Sequence, residues 1–367
     1  MPDKRCARQE GKAVSAESAS VVALPDELHE VLSPGWLNKA LAIRYPGIEI
    51  VEVTPGPVVS RVSTNARFRI DCTGGVPKGL SPHLCAKGYF SEIGRPASPA
   101  GVPETSFYRD LADRTGVRTL RSVFADVDAR TDANIVITED VVAEGGVFLD
   151  GLSDYTPDQA ADSLDQLATL HAATWADPSL ADVGWLRSRL DGYLRSRGLP
   201  EISANFACWI GAGVPDETRD AERLVAAYRR LAAETAAASP WAVIHGDPHI
   251  GNLFLDGAGR PSFLDWQLVQ RGPWYIDVGY HIASALTVAD RRRSERDLLA
   301  HYLDRLRAGG VRAPEWDEAW RAIGRGILHG FYLWGITVKV DPPITAALLE
   351  RLGTAAADHD VLAAVGA

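Results

Sequence analysis

The chain has 367 residues, too many for one ordinary compact domain and comfortable for two lobes. With 46% hydrophobic and 23% charged residues it has the balance of a soluble globular protein that needs no disulfide or structural zinc to hold a core. A formal net charge of −10 repels nucleic acid and anionic lipid at long range, and no apolar run approaches the ~20 residues that span a bilayer, so neither a nucleic-acid partner nor membrane insertion is expected.

The four cysteines, Cys6, Cys72, Cys85 and Cys208, form no C-x-x-C pair and have no histidine at zinc-ligand spacing, which suits a reducing, cytoplasmic setting. Residues 1–22 read as a polar, disordered tail without the apolar stretch of a signal peptide. Ser33-Pro34 is a helix start, a capping serine followed by proline in the first turn, and the helix carries Trp36, Leu37 and Leu41. Ile48 to Val53 reads as a strand and Pro55 to Asn65 as a Pro/Gly/Ser/Thr loop. From Ala66 to Cys72 the alternation puts Phe68 and Ile70 on one face and Arg67 and Arg69 on the other. A third strand runs from His83 to Phe90, a helix carries Glu104, Phe107, Tyr108 and Leu111, and Leu120 to Val127 and Asn134 to Thr138 supply two more strands.

After Asp154 helical spacing takes over, as in Leu164, Leu167, Leu170 and His171, and again in Leu224, Ala227, Tyr228 and Leu231. One β-rich island, Ala242 to Leu268, interrupts it, with a hairpin turn at Asp256-Gly257-Ala258-Gly259. The layout is a strand-rich lobe over residues 23–140 and a helical lobe over 141–367.

The island holds the chemistry. His245-Gly246-Asp247-Pro248-His249-Ile250-Gly251-Asn252 is a polar loop between apolar strands, followed by Phe263-Leu264-Asp265-Trp266-Gln267 and by Asp277. Carboxylates at the edge of a core need partners. A Mg²⁺-nucleotide supplies them, because Mg²⁺ takes one or two protein oxygens together with phosphate oxygens. Asp247 and Asn252 have the spacing of the kinase catalytic loop, and Asp265 follows a hairpin as the metal-binding aspartate of kinases does. Asp247 would then take or orient the proton of an acceptor hydroxyl, with Asn252 and Asp265 as magnesium ligands. A different chemistry fits part of the pattern: His245, Asp247 and His249 alternate along an extended segment and could hold zinc or iron in a metallohydrolase.

HGDPHIGNLF together with FLDWQ and Asp277 resembles the aminoglycoside-phosphotransferase and choline-kinase-like family of small-molecule kinases. The resemblance covers roughly residues 48–340. It implies an α+β, bilobal protein-kinase-like fold, with a small antiparallel-sheet lobe and a larger helical lobe, and transfer from ATP with Mg²⁺ to a small-molecule hydroxyl. It makes Asp247 the base, places Asn252 and Asp265 on the metal, puts His249 near the γ-phosphate, and leaves His245 and Asp277 to brace the loop. Lys87, in a strand-like run, and Glu104, in an E-x-x-F-Y segment, match the lysine–glutamate pair that holds the nucleotide phosphates. Ser63 and Thr64 match the phosphate-covering loop, although the full glycine pattern is missing, and Glu139 and Val141 match the hinge that meets adenine. His171 reads as a packed helix histidine. A pseudokinase that binds nucleotide without transfer is the rival within the fold, and the filled catalytic positions argue against it. For the acceptor, the aromatic run Gly330-Phe331-Tyr332-Leu333-Trp334-Gly335 and the pair Trp316/Trp320 point to a hydroxyl on an apolar body in place of a polycationic aminoglycoside. The sequence carries no signal for oligomeric state.

Overall fold

A computed structural model describes residues 22–364. The tail expected over residues 1–22 lies, but for Val22, outside the described residues. After a short helix, Leu28–Val31, comes the expected helix, Pro34–Ala42, and the Ser33 hydroxyl accepts the Trp36 N–H as its cap. It buries Trp36, Leu37 and Leu41 against a five-stranded sheet.

That sheet is antiparallel throughout, with strands β1 (Ile50–Ser60), β2 (Thr64–Cys72), β3 (His83–Gly88), β4 (Ser122–Val127) and β5 (Asn134–Glu139) in the order β1-β2-β3-β5-β4. The expected alternation along β2 holds. Phe68 and Ile70 are buried with Leu84, Ala86, Ile135 and Ile137, while Arg67 and Arg69 face outward. The loop expected over Pro55–Asn65 is instead mostly strand. β1 runs on to Ser60 with a register shift between Pro55 and Val58, and the chain turns only at residues 61–63. β1 is an edge strand, where a proline without an N–H costs no ladder bond, so Pro55 and Pro57 do not end it.

The second half packs around long helices: Pro157–Thr174, Ala221–Ala236, Tyr275–Ala285, Val288–Ala308, Trp316–Gly335 and Pro342–Asp358. Thr156 and Gln159 close the first of these with a reciprocal capping box. Within the helical part lie β6 (Val147–Phe148), β7 (Ala242–Ile244), β8 (Leu253–Leu255), β9 (Pro261–Phe263) and β10 (Gln270–Gly272), paired as β10-β7 and β6-β8-β9. The two halves are locked face to face at Trp266. Its indole stacks on Phe107 of the Val102–Asp110 helix, with centroids 3.8 Å apart, and donates to Thr119 Oγ1 at 2.8 Å. Such a stack contributes about 1 kcal/mol beyond the burial of the rings themselves. The arrangement is α+β, with a five-stranded antiparallel sheet in the first half of the chain and mostly helices in the second. No helix among the described residues is long and apolar enough to cross a membrane.

Candidate active site

β7 is wholly buried and hands the chain directly to His245, so the polar loop starts from a fixed point. Three interactions hold it. The Asp277 carboxylate accepts the His245 N–H at 2.7 Å and the Gly246 N–H at 2.9 Å, and His171 Nε2 lies 3.2 Å from it. Burial works to raise the Asp277 pKa, but the hydrogen bond and charge of His171, with help from His245 and the Gly246 N–H, hold it below the usual aspartate value. His171 is itself fixed by Tyr302 at 2.8 Å. Gly246 turns the chain with φ +81°, and a Cβ there would lie 2.3 Å from the Leu268 carbonyl oxygen, so no other residue fits.

His245 Nε2 donates to the Leu264 carbonyl at 2.9 Å, and its Nδ1 accepts the Asp247 N–H at 3.2 Å. Both ring nitrogens are therefore engaged inside the protein. The Nδ1 of His249 is engaged too, accepting the Gly251 N–H at 3.0 Å. The His245/Asp247/His249 metallohydrolase site fails for this reason: its first ligand faces the core.

Asp247 is oriented from both sides. Tyr280 donates to Oδ1 at 2.8 Å, and the Asn252 side-chain amide reaches Oδ2 at 3.2 Å and the Asp247 carbonyl at 2.8 Å. His249 Nε2 stands 3.7 Å from Oδ2, and burial lowers the His249 pKa, favouring the neutral ring. The Asn252 carbonyl accepts the Leu264 N–H at 3.0 Å, which brings Asn252 beside the Asp265 turn through the β8–β9 ladder. Asp265 has φ 60°, ψ 65°, the left-handed region that Asp tolerates better than most residues.

From the other lobe Lys87 of β3 reaches Glu104 Oε2 at 2.6 Å and Asp265 Oδ1 at 3.4 Å. Burial alone would discharge the ammonium. The carboxylates of Asp265 and Glu104 outweigh it and raise the Lys87 pKa well above the ordinary lysine range. Lys87, Glu104 and Asp265 thus form one cluster, and Asp247, Asn252 and His249 a second joined to it through residues 264–265. Ser63 lies in the β1–β2 turn. The Thr64 hydroxyl lies 3.1 Å from that of Ser60 across the hairpin. The Glu139 carboxylate pairs with Arg121 and accepts the Ser81 N–H at 3.0 Å, and the Val141 carbonyl accepts the N–H groups of Glu144 and Gly146.

Sequence reasoning missed three residues of this site: Tyr280, His281 and His329. Tyr280 has a signal, since it lies three residues after Asp277 and so shares its helical face. Trp334 donates its indole N–H to the Tyr280 hydroxyl at 2.7 Å. His281 and His329, both fully buried, brace the loop carbonyls of Pro248 at 2.7 Å and Gly246 at 2.9 Å, and nothing in their local sequence marks them. Beside Asp247 opens a cleft of about 310 Å³ lined by Tyr193, Tyr280, Leu268, Leu333, Trp334, Ile336 and Val340, with Arg197, His249 and a few small polar side chains; Asp247 is its only acid. Of the aromatics singled out in the sequence, Trp334 lines this cleft. Trp316 and Trp320 do not: they stack on each other at 5.8 Å under Arg296.

Comparison with known proteins supports the resemblance. Residues 143–321 match the phosphotransferase enzyme family, APH. The chain is similar in structure to a choline/ethanolamine kinase family protein from Mesorhizobium loti (17% identity, 84% of this chain and 92% of that one, TM-score 0.45). It is also similar to the choline kinase LicA from Streptococcus pneumoniae (12%, 88% and 98%, 0.44) and to macrolide 2'-phosphotransferase MphH from Brachybacterium faecium (15%, 88% and 98%, 0.45). None of the curated proteins matches.

Proposed function

We propose that this chain, with its phosphotransferase-family segment over residues 143–321, moves the γ-phosphoryl group of ATP, with Mg²⁺, onto a hydroxyl of a largely apolar small molecule. The observation that carries the reading is the position of Lys87, between Glu104 of its own lobe and Asp265 of the other, next to the loop that holds Asp247 and Asn252. Residues 23–140 would hold the nucleotide and 141–367 the acceptor.

The donor set suits a magnesium-bound triphosphate. Asn252 spends its amide nitrogen on Asp247, which leaves its amide oxygen for a ligand, and the half-exposed Asp265 carboxylate is answered only by Lys87. When bound, Mg²⁺ neutralises phosphate charge as it develops in transfer. Lys87 and Glu104 would orient the phosphates, Asn252 and Asp265 would hold the metal, and neutral His249 could donate to a phosphate oxygen. Ser63 and Thr64 would cover the phosphates through their backbone, and Glu139 and Val141 would flank adenine. Asp247 Oδ2 would accept the acceptor's hydroxyl proton as the new O–P bond forms and the bond to ADP breaks.

The cleft supports an apolar acceptor, because a polycationic aminoglycoside needs a row of acids and this cleft has Asp247 alone. The test is ADP release over a panel of apolar alcohols and kanamycin-like compounds, with Asp247→Asn as control. Turnover of apolar alcohols is expected, with kcat lowered ~10²–10⁴-fold in the variant and Mg-ATP binding retained. Ordinary turnover of kanamycin-like compounds with none of apolar alcohols would sink the acceptor class. An unchanged kcat in Asp247→Asn would remove Asp247 from its role.

A further inference from the structure

We propose that Arg197 selects an acceptor carrying an anionic group, so that the substrate is amphiphilic: a hydroxyl at Asp247, an apolar body along Trp334, and a carboxylate or phosphate at Arg197. This rests on the phosphotransfer reading and adds the chemistry of the acceptor's far end.

Arg197 lines the same cleft as Asp247. Its backbone is pinned: its N–H donates to the Tyr193 carbonyl at 3.2 Å as the Leu190–Ser196 helix ends, and its carbonyl accepts the Tyr332 hydroxyl at 2.9 Å. The guanidinium is far less constrained. Its one polar contact is Nη1 to the Ile336 carbonyl at 3.5 Å, the outer limit of a hydrogen bond. Among the described residues no carboxylate stands within ion-pair distance of it. Glu201 feels its charge, but that carboxylate accepts the Gly198 N–H at 2.8 Å.

An arginine has five N–H donors in a planar fork that matches a carboxylate or phosphate. Capping the end of the Trp316–Gly335 helix through Ile336 employs one of them, weakly. Arg197 lines a cleft whose walls are mostly apolar and whose lining holds one acid, the proposed base. A neutral or cationic acceptor leaves the other donors unanswered, whereas an anion answers them at a fixed distance from the reacting hydroxyl. The rim points the same way. Val340 lines the cleft and is 40% exposed, Val338 is 52% exposed, and Leu199, two residues after Arg197, is 39% exposed. An apolar body longer than the cleft would continue over these side chains.

The test uses the full chain and three matched alcohols: a long-chain ω-hydroxy acid, its methyl ester, and the corresponding ω-hydroxyalkyl phosphate. Transfer is followed by ADP release, and binding by tryptophan fluorescence, with Mg-ATP binding measured separately. The wild type is expected to favour the acid or the phosphate over the ester about tenfold or more in kcat/KM, the usual scale for a charge-assisted contact. The ratio between acid and phosphate then identifies the anion. Arg197→Gln should abolish the preference by raising KM for the anionic alcohols far more than for the ester, with the KM for ATP unaltered. Arg197→Lys should retain part of it, and its Tm guards against a folding defect in the first variant. Equal use of acid, phosphate and ester by the wild type overturns the proposal, as does a loss in Arg197→Gln shared equally by all three or seen in the KM for ATP. Absence of binding by the acid and the phosphate while Mg-ATP still binds overturns this proposal alone. Absence of Mg-ATP binding overturns the phosphotransfer reading with it.

Discussion

The Tyr280 hydroxyl donates to Asp247 Oδ1 at 2.8 Å and accepts the Trp334 indole N–H at 2.7 Å, so the wall of the cleft is wired to the proposed base. All three groups lie on rigid elements or against them: Tyr280 on the Tyr275–Ala285 helix, Trp334 on the Trp316–Gly335 helix, and Asp247 on the loop that Asp277 braces. Tyr280 holds Oδ1 of Asp247, while the Asn252 amide reaches Oδ2. Replacing it with Phe keeps the packing and removes one hydrogen bond to a carboxylate, worth about 1.5–3 kcal/mol. Tyr280→Phe is expected to lower kcat about 10–100-fold with the KM for ATP unchanged. Steady-state kinetics with either substrate varied checks it, and an unaltered kcat would show that the loop alone orients Asp247.

Much of this was legible in the sequence, for a physical reason. The strand alternation around Phe68 and Ile70, the Ser33-Pro34 helix start and the Asp256–Gly259 hairpin are local signals, and each produced its element. Asp247, Asn252 and Asp265 stand out because polar groups between apolar strands must have partners. Tyr280, His281 and His329 are different. Each sits on an apolar helix where a packed aromatic or histidine is ordinary, and only the crossing of two helices over the loop brings them to it. The extension of β1 through Pro55 and Pro57 was hidden likewise, since it depends on β1 being the sheet edge.

Lys87 neutralises two carboxylates, one of them, Glu104, almost fully buried. Lys87→Met therefore leaves an uncompensated charge in the interior. Removing one partner of such a pair costs on the order of 3 kcal/mol, and weakened binding of Mg-ATP should accompany the fall in stability. Lys87→Met combined with Glu104→Gln should recover much of the stability and none of the nucleotide affinity. Urea midpoints and ATP titrations of the single and double variants separate the two effects. A single variant as stable as wild type would mean that Glu104 takes up a proton at little cost.

Gly330 makes room for the Tyr280 ring. A Cβ at position 330 would lie 2.2 Å from Tyr280 Cδ2, whereas one at Gly324, on the same helix, would meet nothing closer than Val361 at 3.8 Å. Gly330→Ala should displace Tyr280 from Asp247 and lower both Tm and kcat. Gly324→Ala should be neutral or stabilising by up to about 1 kcal/mol, because alanine suits a helix interior better than glycine. Thermal melts and kinetics of the two variants test the contrast, and equal behaviour would show that Tyr280 can shift without cost.

Acid should weaken the fold through His281. Its ring is fully buried between Ser163 Oγ, 2.5 Å away, and the Pro248 carbonyl, and burial pushes its pKa down from 6.5 to about 4. Between those two values the unfolded chain binds a proton that the folded chain excludes, so stability rises with pH across this window. The contribution is full above about pH 6.5 and is lost as the pH falls toward 4, an effect on the order of 3 kcal/mol. His249 and His329 shift in the same direction, also through burial, and steepen the loss. Asp277 acts in a lower range: its depressed carboxyl loses stability only as the pH falls below the ordinary aspartate value of about 4. His281→Asn keeps a donor for the Pro248 carbonyl and removes the titrating ring, so it should flatten the dependence of the urea midpoint on pH between about 4.5 and 6.5. Equal acid slopes in wild type and His281→Asn would mean that the ring is already protonated in the folded protein, held so by the Pro248 carbonyl.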